Sequence, residues 1–155
     1  MRFCRCEMLI GADALENLKN SSVAVFGVGG VGGYVVEALT RSGVGRIAII
    51  DKDVVDESNI NRQIVALTST IGKNKVDVMK QRMLDINPDV KVEAHCEFYL
   101  PDNADFIELG SFDYVVDAID NVTAKIELIK RCKQADVPII SAMGAGNKLD
   151  PTRIE

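Results

Sequence analysis

The sequence predicts an α/β fold, a doubly wound and mainly parallel sheet with helices on both faces, and three observations predict it. Short, wholly apolar runs alternate with longer segments whose apolar residues recur at helical spacing. The apolar runs lack polar alternation, as strands covered on both faces require. The first run leads directly into a glycine-rich turn and a helix.

Residues 7–19 carry Met8, Leu15 and Leu18 among charges and read as an amphipathic lead-in helix. Residues 22–26, Ser-Val-Ala-Val-Phe, form the first strand. Val31, Tyr34, Val35, Ala38 and Leu39 set a helical stripe, which Gly43 and Gly45 stop because glycine tolerates positive φ. Residues 47–50 supply the second strand. Residues 52–70 are polar and weakly periodic, and a long excursion of this kind is usually functional or disordered. Helix returns over 73–86, with Val76, Met79, Met83 and Ile86 on one face, and Asn87-Pro88 ends it. A third strand at 90–94, a short helix at 104–109 and a strand at 114–117 follow. Val122, Ile126, Ile129 and Cys132 make a last stripe before a fifth strand at 137–141. Strictly alternating strands and helices imply parallel pairing through right-handed crossovers, a Rossmann-like arrangement.

At 155 residues and 47% hydrophobic, the chain buries one substantial core, and one domain over residues 1–155 is the expectation. A formal net charge of −5 gives no overall field that recruits nucleic acid or an anionic membrane. Four cysteines, at 4, 6, 96 and 132, form no C-x-x-C pair, and the N-terminus has no apolar signal-peptide region, so a reducing cytoplasm is expected. No stretch approaches the roughly 20 apolar residues a membrane span needs. The chain stops after a glycine-rich turn with no closing helix or strand pair, and is expected to be the N-terminal part of a longer protein.

Chemistry gathers at the strand ends. In Gly27-Val-Gly-Gly-Val-Gly32, Gly27, Gly29 and Gly32 hold the G-x-G-x-x-G positions, with Gly30 beside them. A strand before and a helix after let backbone N–H groups and a helix N-terminus face phosphate. Asp51 ends the second strand at the distance where an acid receives ribose hydroxyls, with Asp53 a weaker candidate. Within Asn59-Ile-Asn-Arg-Gln63 the amides Asn59 and Gln63 fix the loop, while Arg62 offers its guanidinium fork to phosphate oxygens. Lys75, opening the next helix, adds a point charge. Asp120, after the strand at 114–117, is placed to hold Mg²⁺ bridging phosphates, with Asp117 the alternative ligand. Asn121 caps the following helix, touches nucleotide, or does both. No serine, cysteine or histidine constellation supports a protein nucleophile, and His95 reads as structural or surface. Together these residues point to a nucleotide whose polyphosphate is attacked.

With the glycine loop, Asp51, Ser58-Asn-Ile-Asn-Arg-Gln63, Gly72-Lys-Asn-Lys75 and Asp117-Ala-Ile-Asp-Asn121 in this order, the chain resembles the adenylyltransferases of the HesA, MoeB and ThiF family, relatives of the ubiquitin-activating enzymes. Within it, Asn59-Ile-Asn-Arg-Gln-Ile64, Asp85-Ile-Asn-Pro88 and Gly144-Ala-Gly-Asn-Lys-Leu-Asp-Pro151 are most similar to the branch of tRNA threonylcarbamoyladenosine dehydratases. The resemblance implies ATP and Mg²⁺, a homodimer in which Arg5 enters the neighbour's ATP site, and tRNA as substrate. It implies attack of a carboxylate on the α-phosphate, with Arg62, Lys75, Asp120 and Arg5 catalytic. The nearest rival is adenylation of a ubiquitin-like sulfur carrier at its C-terminal glycine. A nicotinamide-dependent dehydrogenase would leave Arg62, Lys75 and Asp120 without a task, and a non-catalytic nucleotide-binding scaffold is the third reading. The C-terminal part that the family carries is absent from these residues, so turnover is expected to be largely lost from this stretch alone.

Overall fold

The computed structural model describes residues 2–144 and 150. Five strands, β1 (Ser22–Phe26), β2 (Arg46–Ile50), β3 (Lys91–His95), β4 (Tyr114–Asp117) and β5 (Ile139–Ser141), form one sheet in the order β3-β2-β1-β4-β5 with every pairing parallel. The chain winds outward from β1 to β3 and then crosses back to β4. The switch point therefore lies between the carboxyl ends of β1 and β4, where open α/β sheets bind ligands. Phe26, the last residue of β1, is in register with Ile50 on one side and Asp117 on the other.

Successive side chains of a strand point to opposite faces, and here both faces are covered. Val23, Val25, Ile47, Ile49 and Val116 pack with Val36 of helix α3 (Gly32–Ser42) and with Met79 and Met83 of α4 (Lys75–Ile86). Ala24, Phe26, Ala48, Ile50 and Val115 pack on the other side with Tyr99, Phe112, and Leu128 and Cys132 of α5 (Val122–Gln134). Two buried faces are the reason β1, β2 and β4 read as nearly continuous apolar runs. Each fully buried large side chain stabilises by about 1.5–3 kcal/mol.

The expected lead-in helix over 7–19 is two helices, α1 (Cys4–Ile10) and α2 (Ala12–Asn20). Gly11 separates them at φ +86°, a conformation that ends α1 and that glycine adopts without strain. The short helix expected at 104–109 is instead two 3-10 turns, Ala104–Phe106 and Leu109–Ser111. Between them Ile107 is extended, and the Glu108 carboxylate accepts the Gly110 N–H at 3.1 Å, a local bond that competes with helix. The excursion after β2 holds only two further 3-10 turns, Glu57–Asn59 and Thr68–Thr70. It closes on itself through a bridge between Val54 and Asn74.

Two helical stripes have a different phase from the expected one. In α3 the buried face is Gly32, Gly33, Val36 and Thr40, while Val31 and Tyr34 are half exposed. The two glycines carry no hydrophobic signal, yet they bring the helix hard against the Gly27 turn, Ala118 and Ile64. In α5 the buried face is Ala124, Lys125, Leu128 and Cys132. Val122, Ile126 and Ile129 face outward, and of the expected stripe only Cys132 is buried. A buried lysine sets that phase. β5 starts at Ile139 rather than 137 because Pro138 has no N–H to give, although its carbonyl still accepts from Val115 at 2.9 Å.

Candidate functional site

A pocket of about 750 Å³ opens over the carboxyl ends of β1, β2 and β4. Its floor is the glycine loop. Gly27 donates its N–H to Ile50 O at 2.8 Å, and Ala118 donates to Phe26 O at 2.8 Å, so the loop springs from a strand end clamped on both sides. A Cβ on Gly27 would stand 2.6 Å from Ala118 O, and one on Gly32 only 1.7 Å from Gly27 O. Close packing of strand, turn and helix thus demands glycine at both positions, and α3 opens at Gly32 with its N-terminal amides toward the pocket.

Asp51 lies at the end of β2 as expected and has a further role. Its Oδ2 accepts the Val28 N–H at 2.7 Å and its Oδ1 accepts the Asp53 N–H at 2.8 Å. The same carboxylate therefore shapes the glycine loop and still offers lone pairs to the pocket.

The segment after β2 brings its amides and its arginine over the loop. Asp56 accepts from both the N–H and the hydroxyl of Ser58, and its own N–H goes to Asn59 Oδ1 at 3.1 Å. The hydrogen bonds from Ser58 hold the Asp56 carboxyl below its ordinary range. Asn59 is thus a buried structural amide that lines the pocket. Gln63 lies against Gly29, with Nε2 3.7 Å from where a Cβ would stand, and its buried Oε1 has no partner among the described residues. The stem of Arg62 lies over Gly30, its Cγ 3.6 Å from the corresponding Cβ position. The guanidinium donates to Ser58 O at 3.0 Å and Asn61 Oδ1 at 2.7 Å and is exposed at the pocket.

Lys75, the first residue of α4, reaches the same pocket and pairs with Asp53, Nζ to Oδ2 at 3.0 Å. Opposite, Asp120 is exposed on the pocket wall, and Asn121 caps α5 by accepting the Ala124 N–H at 3.0 Å. Asp117, the alternative ligand, is fully buried and engaged at both oxygens, by Lys125 Nζ at 2.9 Å and the Ile119 N–H at 3.1 Å.

Arg5 is exposed on α1 and does not line this pocket. Gly144 does line it, but residues 145–149 and 151–155, which carry most of the motif at 144–151, lie outside the described residues. His95 ends β3 with its ring 5.6 Å from that of Phe106, and its buried Nε2 has no partner among the described residues.

Three contributors escaped the sequence reading. Lys125 lines the pocket, and its signal was a charge three and seven residues before the buried Leu128 and Cys132, on their face of the helix. Phe98 and Tyr99 form an aromatic wall, with Lys52 Nζ 4.0 Å above the Phe98 ring and Tyr99 edge-on to Phe26 at 4.9 Å. Burial pushes the Tyr99 hydroxyl up to about 12. No local pattern announced that wall, because the residues follow β3 in an irregular stretch.

The arrangement joins a glycine cradle, an arginine and a lysine from one side to a carboxylate and an apolar wall from the others. It can seat a planar ring, a ribose and a polyphosphate, with cations placed over the phosphates.

The model of the ThiF family matches residues 3–155. The tRNA threonylcarbamoyladenosine dehydratase of Bacillus subtilis (strain 168) is 54% identical over 155 residues, covering 99% of this chain and 61% of that protein. The sulfur carrier protein adenylyltransferase of Thermus thermophilus is 40% identical over 112 residues, covering 72% of this chain and 41% of that one. Among solved structures, the E. coli tRNA N6-threonylcarbamoyladenosine dehydratase TcdA in complex with ATP superposes with a TM-score of 0.93 at 41% identity, covering 99% of this chain and 63% of that one. The chain thus spans about three-fifths of the length of the dehydratases it matches.

Proposed function

This chain belongs to the ThiF family, and on that premise we propose that its protein adenylates a substrate carboxylate with ATP, the carboxylate being that of threonylcarbamoyladenosine in tRNA. The observation that carries the reading is Arg62 laid over Gly30, within a chain 54% identical to a dehydratase of that name. A glycine loop alone would suit many nucleotides; an arginine folded across it suits a phosphate group under attack.

The chemistry follows from the residues. The carboxylate attacks the α-phosphorus of ATP, pyrophosphate leaves, and an atom of the same threonylcarbamoyl group then attacks the activated carbonyl, closing a ring and releasing AMP. Arg62 and Lys75 meet the charge that spreads over the phosphates, and Asp51 takes the ribose hydroxyls. Gln63, whose buried Oε1 has no partner among the described residues, suits a donor on the nucleotide or a bound water. Phe98 and Tyr99 suit the base. The ring closure is intramolecular, so positioning does most of the work and no protein nucleophile is needed.

The residues also fit Mg²⁺. Among the described residues no three His, Cys, Asp or Glu side chains cluster to hold a metal unaided. An exposed Asp120 supplies the single hard oxygen ligand that suffices when phosphates and water supply the rest. Bound there, Mg²⁺ would neutralise charge on the leaving pyrophosphate. Arg5, exposed on α1 and outside its own chain's pocket, suits the site of a second copy in a homodimer. Four free thiols fit a reducing, cytoplasmic setting, and no helix among the described residues is long and apolar enough to cross a membrane.

A second reading, activation of a ubiquitin-like sulfur carrier, draws on the Thermus thermophilus relative. Pyrophosphate release by the intact protein separates the two. Release that depends on tRNA bearing threonylcarbamoyladenosine supports the dehydratase. Release that depends on a carrier ending in glycine, and not on tRNA, supports the rival.

A further inference from the structure

We propose that Lys125 is a positioning residue for Asp120, acting through Asp117 on the turn at 117–121; the inference rests on the ATP reading above. Asp117 ends β4 beside the glycine loop and is 0% exposed. Its two oxygens are engaged, Oδ2 by Lys125 Nζ at 2.9 Å and Oδ1 by the Ile119 N–H at 3.1 Å. An acid both fully buried and paired with a lysine is a turn former and not a cation ligand, which leaves that contact to the exposed Asp120 three residues on.

The turn is fixed at each end. Ala118 donates its N–H to Phe26 O at 2.8 Å, and Asn121 closes the other end by capping α5. Lys125 holds it twice, through its own N–H to Asn121 O at 3.0 Å and through its ammonium to Asp117. A second lysine of the pocket is placed differently. Lys75 pairs with a carboxylate whose side chain is 53% exposed, so Lys75 can exchange Asp53 for a phosphate and leave that carboxylate solvated. Were Lys125 to leave, a fully buried carboxylate would lose its counter-charge, so Lys125 stays and acts by holding the turn.

The test is calorimetric titration of the intact protein with ATP and with AMP, each in Mg²⁺ and in EDTA. Lys125→Met should weaken Mg²⁺-ATP binding roughly 10- to 100-fold, as loss of an outer support for a metal ligand does, and weaken AMP binding far less. Lys125→Arg should restore most of it, and Lys125→Met added to Asp120→Asn should cost nothing further. Equal losses for ATP and AMP, additive losses in the double variant, or an unaltered Mg²⁺ effect would each overturn the proposal. Should Lys125→Met fail to fold, Lys125→Gln, which lacks both reach and charge, is read the same way. Wild-type protein that binds neither nucleotide would instead remove the ATP reading itself.

Discussion

Lys75 and Asp53 form an ion pair of unequal partners: Nζ and Oδ2 are 3.0 Å apart, the lysine side chain is 6% exposed and the aspartate 53%. The ammonium is held at the pocket by a carboxylate that water already solvates. Entry of a polyphosphate would offer Lys75 a more highly charged partner, and Asp53 would return to solvent at little cost.

Lys75→Ala should therefore lower the rate of ATP-pyrophosphate exchange by about 10²–10³-fold, the range for losing one preorganised charge donor. The fold should remain, since the abandoned Asp53 is solvated. Exchange at the wild-type rate would show that Lys75 stays with Asp53 throughout.

Arg62→Ala should cut the same exchange by at least about 10²-fold with an unchanged melting temperature, because the guanidinium is exposed and bonds only to loop acceptors 1 and 4 residues away. Arg62→Lys should not recover the loss, as an ammonium lacks the planar fork. Recovery by lysine would reduce Arg62 to a point charge.

Gly32→Ala meets backbone, not a movable side chain, at 1.7 Å. It should destabilise by about 3 kcal/mol or more, or shift the loop and abolish nucleotide binding. Denaturant unfolding and ATP titration of the variant check both outcomes, and near-native values in both would contradict the packing.

Glu37 ties α3 to α4, accepting from Arg82 at 2.6 and 3.0 Å and from Arg41 at 2.7 Å. The hydrogen bond from Arg82, and after it that from Arg41, keeps its carboxyl below the ordinary value of 4.5 despite burial. A depressed folded-state pKa means stability that is present above about pH 4.5 and lost as pH falls through the folded value. Glu37→Gln should cost about 2 kcal/mol at neutral pH, and its melting temperature should converge with that of the wild type on acidification. A gap independent of pH would show that the ion pair does not contribute to stability.

Much of this was legible in the sequence for a physical reason. Strands buried on both faces advertise themselves as apolar runs, and Gly27, Gly32, Asp51, Asn59, Arg62, Gln63 and Lys75 lie in local patterns whose spacing reflects one turn or one helix start. What stayed hidden depends on distant partners. The buried face of α5 follows Lys125, whose burial makes sense only beside Asp117. The buried face of α3 follows two glycines with no hydrophobic signal. The Phe98–Tyr99 wall exists only once β3 lies beside β2.

Mass spectrometry of tRNA nucleosides tests the proposed activation of a carboxylate on tRNA most directly. The intact protein, ATP, Mg²⁺ and tRNA bearing threonylcarbamoyladenosine are incubated, and the tRNA is digested to nucleosides under conditions that preserve the ring. The expected product is a nucleoside lighter by one water, formed with AMP and pyrophosphate and lost in the Arg62→Ala variant. Threonylcarbamoyladenosine recovered unchanged, from a protein that binds ATP, would contradict it.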